Sequence, residues 1–165
     1  MRRKDREVAD ASSISAILDK CKTCHLAMVD NGQPYVIPLN YAYSLWGKEL
    51  TLFFHSAKAG RKIRILHENA AVCFVMSNEG EPVFAAETPC DSGYYYSSVH
   101  GFGYVQFVED IDEKRAALSL LMKHQAGLEV NFTPEQAASV CVFKVVSTEY
   151  IGKEKAPQSR RDNLT

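Results

Sequence analysis

At 165 residues the chain is long enough to bury a substantial core and is read as one domain. Its 46% hydrophobic and 24% charged residues are those of an ordinary globular protein, and no apolar run reaches bilayer-spanning length. A net charge of −1 excludes a nucleic-acid binder driven by overall basicity.

The basic start, Met1-Arg2-Arg3-Lys4-Asp5-Arg6, has no h-region, so no signal peptide is expected and the protein is assigned to the cytoplasm. Ile14, Ile17, Leu18 and Cys21 at helical spacing predict a helix over 11–22, with Asp10 or Ser12 as its cap. His25–Val29 reads as a strand, Asp30-Asn31-Gly32 as a tight turn, and Pro34–Tyr43 as the returning strand of a hairpin. Gly47 turns the chain into a strand from Glu49 to His55, followed by a basic helix over roughly 57–67.

Ala70–Ser77, apolar on both faces, predicts a central strand, and residues 78–93 are turn-rich with a strand and a loop mixed. Tyr94–Glu109 predicts a long strand in which Gly101 and Gly103 allow a bulge. A helix over Asp112–His124 and a short one opened by Thr133 and Pro134 precede a last strand, Val140–Gly152. The expectation is a mainly β, antiparallel small barrel with helices, one domain over 1–153, and a polar tail over 154–165.

Five cysteines in a reducing compartment argue against a disulfide framework. Cys21-Lys22-Thr23-Cys24-His25 matches the C-x-x-C-H pattern of covalent haem attachment, but without an export signal it is read as buried structure. No second ligand pair completes a zinc site, and no metal is expected.

The most informative stretch is Phe53 to Leu66, where an apolar strand end meets His55, Ser56 and Ala57 and then a basic helix. Lys58, Arg61 and Lys62 crowd the positive end of that helix, where cations are normally disfavoured. An external phosphate resolves the conflict, because helix N–H groups and a guanidinium both bind it. The bland alternative is a solvated basic helix face.

Pro34-Tyr35-Val36-Ile37-Pro38-Leu39-Asn40-Tyr41, then Phe53-Phe54-His55-Ser56-Ala57-Lys58-Ala59-Gly60-Arg61-Lys62, then Tyr96-Ser97-Ser98-Val99-His100-Gly101-Phe102-Gly103 occur in a telling order. With Val108-Glu109-Asp110 and Glu113-Lys114, they resemble the FMN-binding split-barrel superfamily of pyridoxamine 5′-phosphate oxidase. The resemblance runs from about Arg2 to Lys153 and is strongest to the nitroimidazole-resistance branch.

That resemblance implies a homodimer with FMN at the subunit interface. Backbone groups around Pro38, Leu39 and Asn40 would meet the polar edge of the flavin ring. Ser56, Ala57, Lys58, Arg61 and Lys62, with His55, would surround its phosphate. Tyr96, Ser98 and His100 would lie near the flavin at the dimer interface. His55 and His100 are the candidate proton donors or substrate-binding groups, while His67 and His124 read as helix C-terminal residues. Tyr35, Tyr41 and Trp46 either flank the ring or belong to the core, and Ser98 either bonds the cofactor or sits at a bulge.

The implied activity is oxidoreduction of small planar acceptors such as nitro-aromatic compounds. A non-catalytic flavin or haem carrier, with His55 or His100 as axial ligand, is the alternative, and a cofactor-free dimerisation module a third. The tail Gln158-Ser159-Arg160-Arg161 lacks the Arg and Trp pattern of pyridoxamine phosphate oxidase, so vitamin B6 oxidation is not expected. Gly101 and Gly103 lie within a strand and do not form a nicotinamide-binding loop.

Overall fold

In the computed structural model, which describes residues 3–85 and 87–156, the chain order is dominated by antiparallel strands. A two-residue strand β1 (Glu7–Val8) precedes helix α1 (Ala11–Lys20), whose first turn is capped by Asp10 accepting from the Ser13 N–H. Then come β2 (Thr23–Asp30), β3 (Gln33–Asn40), β4 (Ala42–Trp46), β5 (Glu49–Ser56) and helix α2 (Arg61–Glu68). They are followed by β6 (Ala71–Val83), β7 (Gly93–Val108), α3 (Ile111–Ala126), α4 (Pro134–Ala138) and β8 (Cys141–Lys155).

The strands form one sheet in the order β3-β2-β6-β7-β8-β5-β4, with β1 on β8, and every pairing is antiparallel. The end strands β3 and β4 do not pair, so the sheet is split rather than closed. Strand alternation decides which side is buried. Leu26, Phe74, Val99, Phe143, Leu52 and Phe54 turn inward and meet Ile14, Ile17 and Leu18 of α1 in the main core. A second cluster places Ala117, Leu118 and Leu121 of α3 against Ala42, Val108 and Val142 on the other face.

Several boundaries differ from the expected ones for local reasons. Tyr41, fully buried with its hydroxyl donating to the Leu18 carbonyl at 2.8 Å, separates β3 from β4, so Pro34–Tyr43 is not a single strand. β6 continues through the turn-rich region to Val83, with a register shift between Glu79 and Pro82. The last strand extends beyond Gly152 to Lys155. The terminal residues Met1 and Arg2 and the tail from 157, including Gln158-Ser159-Arg160-Arg161, lie outside the described residues.

Cys21 and Cys24 are buried, at the end of α1 and in β2, and burial pushes the Cys24 thiol up to about 12. Both side chains therefore serve the core. No helix among the described residues is long and apolar enough to cross a membrane.

The expected bulge falls between Phe102 and Tyr104, where the β7–β8 register shifts. A Cβ at Gly103 would lie 2.6 Å from the Val146 carbonyl oxygen, which is backbone and cannot swing away. Gly103→Ala should therefore destabilise the fold by about 2–3 kcal/mol, read as a lowered urea midpoint. An unchanged midpoint would mean that the two strands separate freely at this point.

Candidate functional site

The expected basic helix begins later than its charge pattern suggested. α2 starts at Arg61, after Gly60 at φ 132°, so Lys58 stands in the preceding loop and not in the first turn. That φ lies in a region open chiefly to glycine, and nothing lies within 4 Å of where a Gly60 Cβ would be. No side chain among the described residues caps α2, which leaves its first N–H groups for an outside acceptor. The helix is anchored from beneath by buried Ile63, Ile65 and Leu66.

Two free backbone edges flank this helix start. β4 pairs with β5 only as far as Phe53, so Phe54, His55 and Ser56 run on with an open edge. Among the described residues β3 pairs only with β2, leaving its other edge open from Gln33 to Asn40. Along β3, Tyr35 and Asn40 are five residues apart, about 17 Å at strand rise. Tyr35 marks the α2 end of this track, since its ring underlies the Arg61 guanidinium at 4.4 Å from the centroid.

Arg61 is not a free cation. Its Nε donates to Asp30 Oδ2 at 2.9 Å, and the same carboxylate accepts from Arg64 Nη2 at 2.8 and 2.9 Å. Arg64 is held from its other side by Glu68, with Nη1 donating at 3.2 and 3.0 Å. The guanidinium groups of Arg64 and Arg61 hold the Asp30 carboxyl below the usual carboxylate range. The two Nη groups of Arg61 make no hydrogen bond among the described residues, and its side chain is 51% exposed.

Lys58 is exposed and Lys62 half-buried. Burial pushes the Cys141 thiol up against the opposing pull of Lys114 and Lys62. Ser56 is buried and its hydroxyl donates to the Ala57 carbonyl at 2.8 Å, so its proton is spent locally and its oxygen is left to accept. Ala57 and His55 are exposed beside it.

The remaining expected residues are spread along the sheet. Pro38 faces outward, Leu39 inward, and the Asn40 amide donates to Gln125 Oε1 at 3.0 Å and to the Lys22 carbonyl at 3.2 Å. Asn40 is thus tied to α3 by its side chain while its backbone lies on the open edge. Pro38, His25, Val75 and His100 form one cross-strand row on the outer face. His100 is therefore three strands from β3, about 14 Å across the sheet. Its Nε2 lies 3.3 Å from Cys73 Sγ, and Phe102 packs edge-on against its ring.

Ser98 sits in regular pairing with Ser77 and Lys153, not at a bulge. Tyr96 accepts from Arg6 Nη1 at 3.4 Å and lies under Lys153. Burial pushes its phenol up, but Arg6 and Lys153 outweigh that and leave it below its ordinary value. Within one chain, Tyr96 and Ser98 do not meet the α2 cradle. Phe107, which stacks on His67 of α2, lies nine residues further along β7 than Ser98, roughly 30 Å along the strand. Of the aromatic candidates, Tyr41 is core, Trp46 is exposed at the end of β4, and only Tyr35 borders the cradle. His124 is half-buried against Tyr41 and Tyr43 and belongs to the α3 packing.

Two parts of this cradle, Asp30 and Arg64, were absent from the expected set. Arg64 carried a signal, three residues after Arg61 and four before Glu68, a spacing that aligns side chains on one helix face. Asp30 carried none, because its partners lie 31 and 34 residues away.

The donor set suits a phosphate ester with a flat ring. Four cations (Lys58, Arg61, Lys62, Arg64) outnumber the two carboxylates that pair with the arginines (Asp30, Glu68), leaving charge for a dianion. Open N–H groups and a glycine at the helix start admit the phosphate, and the free β3 edge offers backbone groups to a polar ring edge.

The sequence model of pyridoxamine 5′-phosphate oxidase matches residues 10–154. A candidate 5-nitroimidazole antibiotic resistance protein from Bacteroides thetaiotaomicron superposes with TM-score 0.76 at 31% identity, covering 90% of this chain and 86% of its own. An FAD-binding protein from Mesorhizobium loti has TM-score 0.66 and 25% identity, covering 92% and 98%. The flavocytochrome Anf3 from Azotobacter vinelandii, at 19% identity, shares the fold with TM-score 0.75 over 100% of this chain and 78% of its own. Comparison with curated proteins finds no match. The split antiparallel sheet and these matches agree: the chain belongs to the pyridoxamine 5′-phosphate oxidase family.

Proposed function

We propose that the protein is an FMN-binding flavoprotein that acts as a homodimer and reduces small planar acceptors such as nitro-aromatic compounds. The observation that carries this reading is the uncapped start of α2 beside two open strand edges, with the Nη groups of Arg61 free among the described residues. Arg61, Lys62, Lys58 and the first α2 N–H groups would hold the phosphate. The β3 backbone from Pro38 to Asn40 would orient the ring. FMN, when bound, supplies the redox chemistry; the chain supplies position, charge and exclusion of water. The likeness to a candidate nitroimidazole-resistance protein at 31% identity supports the choice of acceptor.

The outer sheet face supports the homodimer. Val29, Val36, Phe102 and Tyr104 are 47%, 59%, 53% and 68% exposed; Pro34 pairs with Val29, and Pro38 lies in the neighbouring row on the same face. A patch of this kind marks an interaction surface. A second copy laid on it would bring Ser98, Tyr96 and His100 toward the partner's β3 edge, where one chain alone cannot place them.

The test is the visible spectrum before and after adding FMN, followed by desalting. Retained, shifted flavin bands are expected, and the dithionite-reduced protein should be reoxidised anaerobically by 2-nitroimidazole. A spectrum that stays bare with excess FMN overturns the reading. The exposed imidazole of His100 beside Phe102 favours one second reading, a haem carrier. A Soret band on haem addition that is lost in His100→Ala would select it.

A further inference from the structure

We infer that Asp30 is the positioning residue of the phosphate cradle, fixing the Arg61 guanidinium so that its two Nη groups face the ligand. This rests on the reading of the cradle as a phosphate site. Asp30 ends β2, its side chain is only 9% exposed, and it is the hub that joins the β2–β3 turn to α2. Oδ2 accepts from Arg61 Nε at 2.9 Å, and both oxygens accept from Arg64 Nη2. Asn31 Nδ2 adds a longer contact to Oδ1 at 3.3 Å.

The consequence for Arg61 is geometric. With Nε committed to Asp30 and Cζ 4.4 Å from the centroid of the Tyr35 ring, the hydrogen-bonding edge left to Arg61 among the described residues is the Nη1/Nη2 fork. That fork is the edge that grips a phosphate bidentately. A free arginine loses much rotamer freedom when it closes on a ligand, and holding it beforehand removes that cost. Arg64 serves Asp30 as counter-charge: it is gripped between Asp30 and Glu68 and so keeps the carboxylate from being pulled off Nε.

Asp30 could instead act only by neutralising Arg61, and the two roles predict opposite signs. FMN and riboflavin, which differ by the phosphate, are titrated into wild type, Asp30→Asn and Asp30→Glu by flavin fluorescence quenching. Positioning predicts that Asp30→Asn binds FMN about tenfold more weakly with riboflavin unchanged. Asp30→Glu keeps the charge and the ion pairs but moves the carboxylate by one methylene, so it too should weaken FMN selectively. It also keeps the test decisive if the asparagine variant does not fold. Unchanged or tighter FMN binding in the variants overturns the positioning role while leaving the phosphate site intact. Wild type that binds FMN no better than riboflavin overturns the phosphate site itself, and the inference with it.

Discussion

Arg61→Ala combined with Lys62→Ala should cost FMN at least a hundredfold in affinity while the protein stays folded. Hydrogen bonds to charged groups each contribute about 1.5–3 kcal/mol, and a tenfold change in affinity is about 1.4 kcal/mol. Losing two such anchors to a dianion therefore reaches two orders of magnitude even with partial compensation by Lys58 and the helix N–H groups. The fold has little reason to suffer. Arg61 is half exposed, and α2 is anchored by buried Ile63, Ile65 and Leu66, which the substitutions leave in place. Asp30 keeps Arg64 as a partner, so no buried carboxylate is left alone. Riboflavin is the internal control, since its affinity should hardly change. Full flavin occupancy in the double variant, with native circular dichroism, would show that the phosphate is bound elsewhere.

What the sequence made legible was whatever depends on local spacing. The α1 stripe of Ile14, Ile17 and Leu18, the Asp10 cap and the Thr133 cap appear in the structure as the periodicity and cap residues require, and Gln136 completes a capping box that was not read from the sequence. The Asp30-Asn31-Gly32 turn does too, with Asn31 and Gly32 at positive φ. The long glycine-bearing strand bends where two glycines permit a bulge. Boundaries failed where tertiary contacts override local preference. Tyr41 reads as an alternating strand residue, yet its hydroxyl is drawn to the Leu18 carbonyl and the strand stops there. The charge of Lys58 reads as helical, but Gly60 delays the helix.

The candidate site divides along the same line. The cluster at His55–Lys62 was visible because its members adjoin one another in the chain. The Asp30–Arg61–Arg64 junction was invisible because a turn aspartate looks the same whether or not two arginines reach it from 31 and 34 residues downstream. Its presence refines the phosphate-binding role expected of Arg61, whose side chain is held by one nitrogen with two others free among the described residues. Ser56 moves the other way: a hydroxyl expected to donate to phosphate already donates to Ala57.

The pair Val36→Asp and Phe102→Asp should convert a dimer to monomers and remove most FMN binding with it. Both side chains point outward from the sheet, 59% and 53% exposed, so aspartate there leaves the main core untouched. A two-fold interface is self-complementary, so each substitution enters it twice, once from each copy. Burying unpaired carboxylates in an apolar contact costs several kcal/mol per group, enough to dissociate an interface of ordinary size. Sedimentation velocity gives the mass, and FMN titration of the same samples gives the affinity. A monomeric wild type would remove the dimer from the proposal. A dimeric variant would place the interface on another face. A monomeric variant that binds FMN as tightly as wild type would show that one chain completes the flavin site, and that Tyr96, Ser98 and His100 take no part in it.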